Sequence, residues 1–164
     1  MTNPDSTGPD PDALTTYILD TYPETDLATI PGAWFFSLDP ERHFPNFATI
    51  VTNDDHDEGS PSNLSRPGVF RLNFGVSRAT FERLVGADAE PDCATIDRVF
   101  PHPVYARQLW ISILNPSAAS FESVVKPLLA EAHDRLAAQR ARFAQSAVPG
   151  AGRDDQNAVD PADA

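Results

Sequence analysis

The amino-acid sequence predicts a single α+β domain: an antiparallel sheet of about four strands with helices packed on one face. Three observations carry that prediction. The first is length, since 164 residues suit one hydrophobic core and are short for two. The second is a change of period, in which short aromatic and β-branched segments bounded by Pro, Gly and Asp are interleaved with longer segments whose apolar residues recur at i, i+3 and i+4. The third is the order helix, strand, strand, strand, helix, strand, helix, which supplies enough helix to cover one side of a sheet. The domain is expected over residues 10–146. Residues 1–9 and 147–164 lack an apolar period and are expected to be disordered tails.

The first helix starts at Asp10-Pro11-Asp12, where Asp10 can accept free amide protons and Pro11 needs no donor at the first helical position. Leu14, Tyr17, Ile18 and Tyr22 line one face, and Pro23 ends the helix. Ala33 to Leu38 and Phe47 to Thr52 read as two strands of an antiparallel hairpin, joined by a loop over Asp39 to Asn46. Asn53 to Gly68 is acidic and proline-bearing and is expected to be a long loop. From Val69 to Gly75 the alternation is clean, with Phe70, Leu72 and Phe74 on one side and Val69, Arg71 and Asn73 on the other.

Ser77 can cap a second helix, with Phe81, Leu84 and Val85 facing inward and Gly86 stopping it. A helical turn is expected near Thr95 to Val99, followed by an irregular segment, Phe100 to Tyr105, because of Pro101 and Pro103. Leu109 to Leu114 reads as the fourth strand, with Leu109, Ile111 and Ile113 on one side and Trp110, Ser112 and Leu114 on the other. The last helix runs from about Ser120 to Phe143 on an apolar stripe that includes Val124, Val125, Leu128, Leu129, Ala132 and Leu136. Pro127 should either kink it or mark its first turn. Phe70, Leu72 and Phe74 are then expected to meet Leu109, Ile111, Ile113 and this helix. The opposite parity gathers Arg71, Asn73, Trp110 and Ser112 on an open face.

The formal net charge is −12. Aspartates crowd both ends, so about half of the excess belongs to the tails. A field of this sign repels phosphates, which disfavours sequence-independent binding to nucleic acid or to an anionic membrane. No stretch approaches the roughly 18 apolar residues that span a bilayer, and the start is neither basic nor apolar, so a cytoplasmic setting is expected. Cys93, the lone cysteine, allows no internal disulfide and no cysteine cage for zinc. Its acidic neighbours disfavour the thiolate.

Two segments, Ser62 to Gly75 and Pro101-His102-Pro103-Val104-Tyr105 leading to Trp110 through Pro116, together with Phe47 to Thr52, resemble an uncharacterised bacterial family, domain of unknown function family 6194. More distantly, the order of a Phe-Ala strand, a strand entering a short helix, and a Tyr-then-Trp strand before a closing helix is similar to the MmcQ/YjbR-like proteins. That resemblance implies a frataxin-like arrangement, helices on one side of an antiparallel sheet, and raises DNA binding as an alternative. It transfers no residue-level site.

Among candidate sites, the open face comes first. Arg71, Asn73, Trp110 and Ser112, extended by Arg66, His102 and Tyr105 from adjoining loops, could orient a small anionic or aromatic ligand. The plainer account pairs Arg71 with a carboxylate and lets Trp110 cover strand surface. Asp54-Asp55-His56-Asp57-Glu58, with His43, offers cation ligands, but the alternating spacing of a calcium loop is missing and a solvated acidic loop fits better. Arg66, Arg71, Arg78, Arg83, Arg98 and Arg107 are the phosphate contacts a DNA-binding role would use. A Ser112, His102, Asp97 triad has no oxyanion-hole context, and the common phosphate-loop, nucleophile-elbow and zinc-protease motifs are missing. No cofactor and no metal are expected. The expected function is non-enzymatic binding of a small molecule or protein partner through the open face; the alternatives are a DNA-binding protein and an enzyme using His102 and Arg71.

Overall fold

Helix α1, Pro11–Thr21, starts where its first residues dictate, because the Ala13 N–H donates to Asp10 Oδ1 at 2.8 Å and Pro11 occupies the first turn. This is a computed structural model, and it describes residues 7–56, 59–86 and 91–146. The tails expected to be disordered lie outside these residues, apart from residues 7–9.

Six strands follow: β1 Asp26–Ile30, β2 Ala33–Ser37, β3 Asn46–Val51, β4 Arg71–Gly75, β5 Val99–Pro101 and β6 Trp110–Leu114. They form one antiparallel sheet in the order β1-β2-β3-β4-β6-β5. The expectation of about four strands is therefore corrected to six. The two extra strands are the edges. β1 has only Leu27 and Ile30 as large apolar residues, and β5 ends on Pro101, which a strand tolerates only where no ladder donor is required.

Helices α1, α2 (Arg78–Val85) and α4 (Lys126–Ser146) contribute to the main core on one side of this sheet. Leu72 stands opposite Ile50 and Ile113, and Phe74 opposite Ala48 and Ile111, so these residues form continuous rows across three strands. Leu14 and Ile18 of α1, Val85 of α2 and Leu129, Ala132 and Leu136 of α4 close over those rows. Fully burying side chains of this size stabilises the fold by roughly 1.5–3 kcal/mol each. Leu109, expected in this layer, instead adopts a left-handed conformation (φ 68°) at the end of a short 3-10 turn, Ala106–Gln108, just ahead of β6. The turn expected at Thr95 to Val99 is not helical either: Asp97 has φ 63°, and Ile96 bridges Leu114.

The closing helix takes an unusual route past its proline. After α3, Ala118–Ser120, comes a π-helical turn, Phe121–Val125, and Pro127 sits second in α4. A wide turn immediately upstream gives the proline ring, which has no N–H and would crowd the carbonyl four residues back, the room an α-turn denies it. Glu131 ties α4 to α2 by accepting the Ser77 N–H at 2.7 Å and the Thr80 hydroxyl at 2.9 Å.

Candidate functional site

Residues 71, 73 and 75 of β4 share one face, away from the helices, and their partners on β6 are Leu114, Ser112 and Trp110. On the other flank Val51 stands opposite Arg71 and Thr49 opposite Asn73. The strand alternation thus brings Arg71, Asn73, Ser112 and Trp110 together as the sequence indicates.

That face is not open along its length. Val51, Leu64, Phe100 and Leu114 form a second, smaller core on it, with Val69 and Cys93 packed alongside. Under this cover Arg71 is 1% exposed and both Asn73 and Ser112 are 0% exposed. The expectation of an exposed Arg71, Asn73 and Ser112 is therefore corrected. The long loop after β3 carries Ser62 and Leu64 back across the sheet, which strand alternation alone cannot reveal. Trp110 and Thr49, by contrast, are only half-buried.

The buried groups form one ordered network. Arg71 Nε donates to Asn73 Oδ1 at 2.9 Å and Nη1 donates to Ser62 Oγ at 3.2 Å. Ser112 Oγ donates to the same Asn73 Oδ1 at 2.6 Å, and Asn73 Nδ2 donates to Thr49 Oγ1 at 2.9 Å. A guanidinium only donates, so Arg71 settles which end of the Asn73 amide faces it and with that the direction of every later bond. Satisfying a buried charge in this way matters, because removing a guanidinium from water costs several kcal/mol unless its N–H groups are matched.

His102 borders the same network at the end of β5. The N–H groups of Val104 and Tyr105 both donate to its Nδ1, at 3.0 Å each. The ring proton consequently sits on Nε2. Burial, joined by the positive charge of Arg71, pushes the His102 pKa down to about 3, so the ring is neutral at physiological pH. Its ring lies edge-on to Trp110, with centroids 6.4 Å apart, and 4.9 Å from the Tyr105 centroid. Gly75 underlies the indole, since a Cβ there would stand 3.1 Å from Trp110 Nε1.

Arg66 takes another part. Its Nη2 donates to the carbonyls of Ser62 and Ala94, at 2.8 and 3.0 Å, and its Nε donates to that of Asn63 at 3.0 Å. It fastens the covering loop and borders an open groove of about 400 Å³ together with Leu64 and Phe70. The triad of Ser112, His102 and Asp97 is not assembled: the Ser112 proton goes to Asn73, His102 Nδ1 is taken by backbone, and Asp97 Oδ1 accepts the Ser117 N–H.

The acidic loop is only partly described, because Asp57 and Glu58 lie outside the described residues. Asp54 Oδ1 accepts the Leu64 N–H at 2.9 Å, and no group of three or more His, Cys, Asp or Glu with metal-ligand arrangement occurs among the described residues. His43 joins Asp26 instead, Nδ1 to Oδ2 at 2.6 Å, at the opposite end of β3 from Asp54. Among the described residues no helix is long and apolar enough to cross a membrane.

Residues 9–146 match the model of a family of unknown function, DUF6194, and the chain belongs to that family. No curated protein and no solved structure matches it.

Proposed function

Taking membership of a family of unknown function as the premise, we propose that this domain binds a small molecule at the partly open end of the helix-free sheet face, around Asn73, His102, Trp110 and Ser112 beside Arg71. The observation that carries the reading is the directionally fixed network of buried Arg71, Asn73 and Ser112, which runs up to half-buried Thr49 on β3, with half-buried Trp110 on β6 of the same face. Folds rarely bury a charge and an amide in a sheet face without use for them, since an apolar replacement of equal shape is often no less stable. A few fixed polar groups beside an aromatic plane suit a small ligand. No observation favours nucleic acid: Arg66 and Arg71 donate to internal acceptors, and the net charge is −12.

A thermal-shift panel of small carboxylates, phosphates, nucleotides and aromatic metabolites on the full chain tests the reading, because any ligand of the native state raises stability by mass action. At least one compound should raise the melting temperature of the wild type and not of Trp110→Ala. A panel without a hit, or a shift that persists in Trp110→Ala, overturns it.

A further inference from the structure

The groove bordered by Arg66 lies at the start of β4, with Phe70 just ahead of that strand, whereas Trp110 stands opposite Gly75 at the far end. It is a separate place on the molecule and does not depend on the binding reading above. Three stretches of chain wall it: Pro11 at the start of α1, Thr52 just after β3, and residues 64–70 of the covering loop. The groove opens where the two cores meet, since Phe70 belongs to the main core and Leu64 to the smaller one, with Val69 alongside. Asn115 holds the loop wall in place. Its Oδ1 accepts the Phe70 N–H at 3.0 Å, and its Nδ2 donates to the Gly68 carbonyl at 2.8 Å.

Arg66 supplies the charge. Its Nε and Nη2 are spent on the carbonyls of Asn63, Ser62 and Ala94, which fixes the guanidinium plane and leaves the two N–H groups of Nη1. Among the described residues Nη1 meets no acceptor and Arg66 pairs with no carboxylate. The acidic residues adjoining the groove are occupied: Asp10, beside Pro11, accepts the Ala13 N–H, and Asp54 accepts the Leu64 N–H. A fixed guanidinium at the border of an apolar groove matches an anionic head group on an apolar body. Phe70, the aromatic residue of the lining, is 3% exposed and offers no open ring face, so an aliphatic body fits better than an aromatic one. The charges of Asp10 and Asp54 favour a singly charged head group over a phosphate. The geometry thus points to a second ligand site, for a medium-chain aliphatic carboxylate, with the chain laid along Pro11 and Val69 over Leu64 and the carboxylate on Arg66 Nη1. The groove volume of about 400 Å³ falls in the range of small-molecule sites.

Probes that differ only in head group or chain test it. The ¹⁵N-labelled full chain is titrated with octanoate, octylammonium, octanol and acetate, following the backbone amides of Leu64, Gly68 and Phe70 and the Trp110 indole. Octanoate should shift the three amides saturably and leave the indole in place. It should bind about tenfold more tightly than octanol or octylammonium, the worth of one charge-assisted contact. Acetate, which has no chain, should move none of these resonances. Arg66→Met should bring octanoate down to the level of octanol. Octylammonium or octanol binding as tightly as octanoate overturns the carboxylate assignment, as does an octanoate affinity unchanged in folded Arg66→Met. No saturable shift of the three amides, or a shift of the Trp110 indole in their place, overturns the site itself. The comparison of head groups on the wild type decides the matter even where Arg66→Met fails to fold.

Discussion

Arg71 and Asn73 stand two residues apart on β4, side by side on the face away from the helices, and the 2.9 Å bond from Nε to Oδ1 orders everything above it. Because the guanidinium cannot accept, the amide of Asn73 cannot turn over. Ser112 and Thr49 inherit their roles from that one constraint.

The first prediction concerns this pair. Asn73→Ala strips an acceptor from both Arg71 Nε and Ser112 Oγ and leaves them buried, so it should cost roughly 2–4 kcal/mol of unfolding free energy. Urea denaturation measures it. A loss within 0.5 kcal/mol, the usual range for surface substitutions, would mean the network is not buried as described.

His102 gives a pH dependence of definite sign. Its pKa is about 3 in the fold against an ordinary 6.5, so the unfolded chain takes up the proton first. The stability associated with the neutral ring is fully present above pH 6.5 and is lost progressively as pH falls toward 3. His102→Asn keeps an acceptor for the Val104 and Tyr105 N–H groups but does not titrate. Its melting temperature should fall less steeply than the wild type's between pH 6.5 and pH 4. Parallel profiles would refute a buried neutral imidazole.

Glu131 acts on the opposite side of the sheet. Burial pushes its pKa up, but the Ser77 N–H and the Thr80 hydroxyl outweigh that, and the net displacement is downward. A depressed carboxyl stabilises the fold above its ordinary pKa and loses that contribution as pH falls through the folded value. Glu131→Ala should cost about 1 kcal/mol at neutral pH, as for loss of a helix cap, and the deficit should shrink in acid. A deficit that is constant from pH 7 to pH 3 would contradict the carboxylate's role.

Gly75 is the seat of the Trp110 indole. A Cβ 3.1 Å from Nε1 forces the ring outward by a few tenths of an ångström, and a valine forces it further. In a Trp34→Phe background, Gly75→Val should shift the emission of Trp110 to longer wavelength; an unchanged spectrum would place the indole elsewhere.

Much of this was legible in the sequence. The alternation of Phe70, Leu72 and Phe74 with Arg71 and Asn73 forecast which side meets the helices, and Asp10-Pro11 forecast the start of α1. The edge strands were hidden because an edge needs little apolar surface: β1 has few large apolar residues, and the Pro101 that argued against a strand is compatible with an outermost one. The burial of Arg71 was hidden for a different reason. It depends on Ser62 and Leu64 returning across the sheet from a loop without periodicity, and loop closure leaves no local signature. His102 stood out as a candidate residue, but its tautomer depends on two backbone N–H groups that only the folded turn supplies.

The most direct measurement is a ¹⁵N-resolved titration of the full chain with whichever compound stabilises it best in the thermal panel. The side-chain amide of Asn73 and the indole N–H of Trp110 should move together and saturate at the same ligand concentration, while the Trp34 indole stays in place. A compound that saturates the protein without moving either resonance would mean the ligand is held elsewhere.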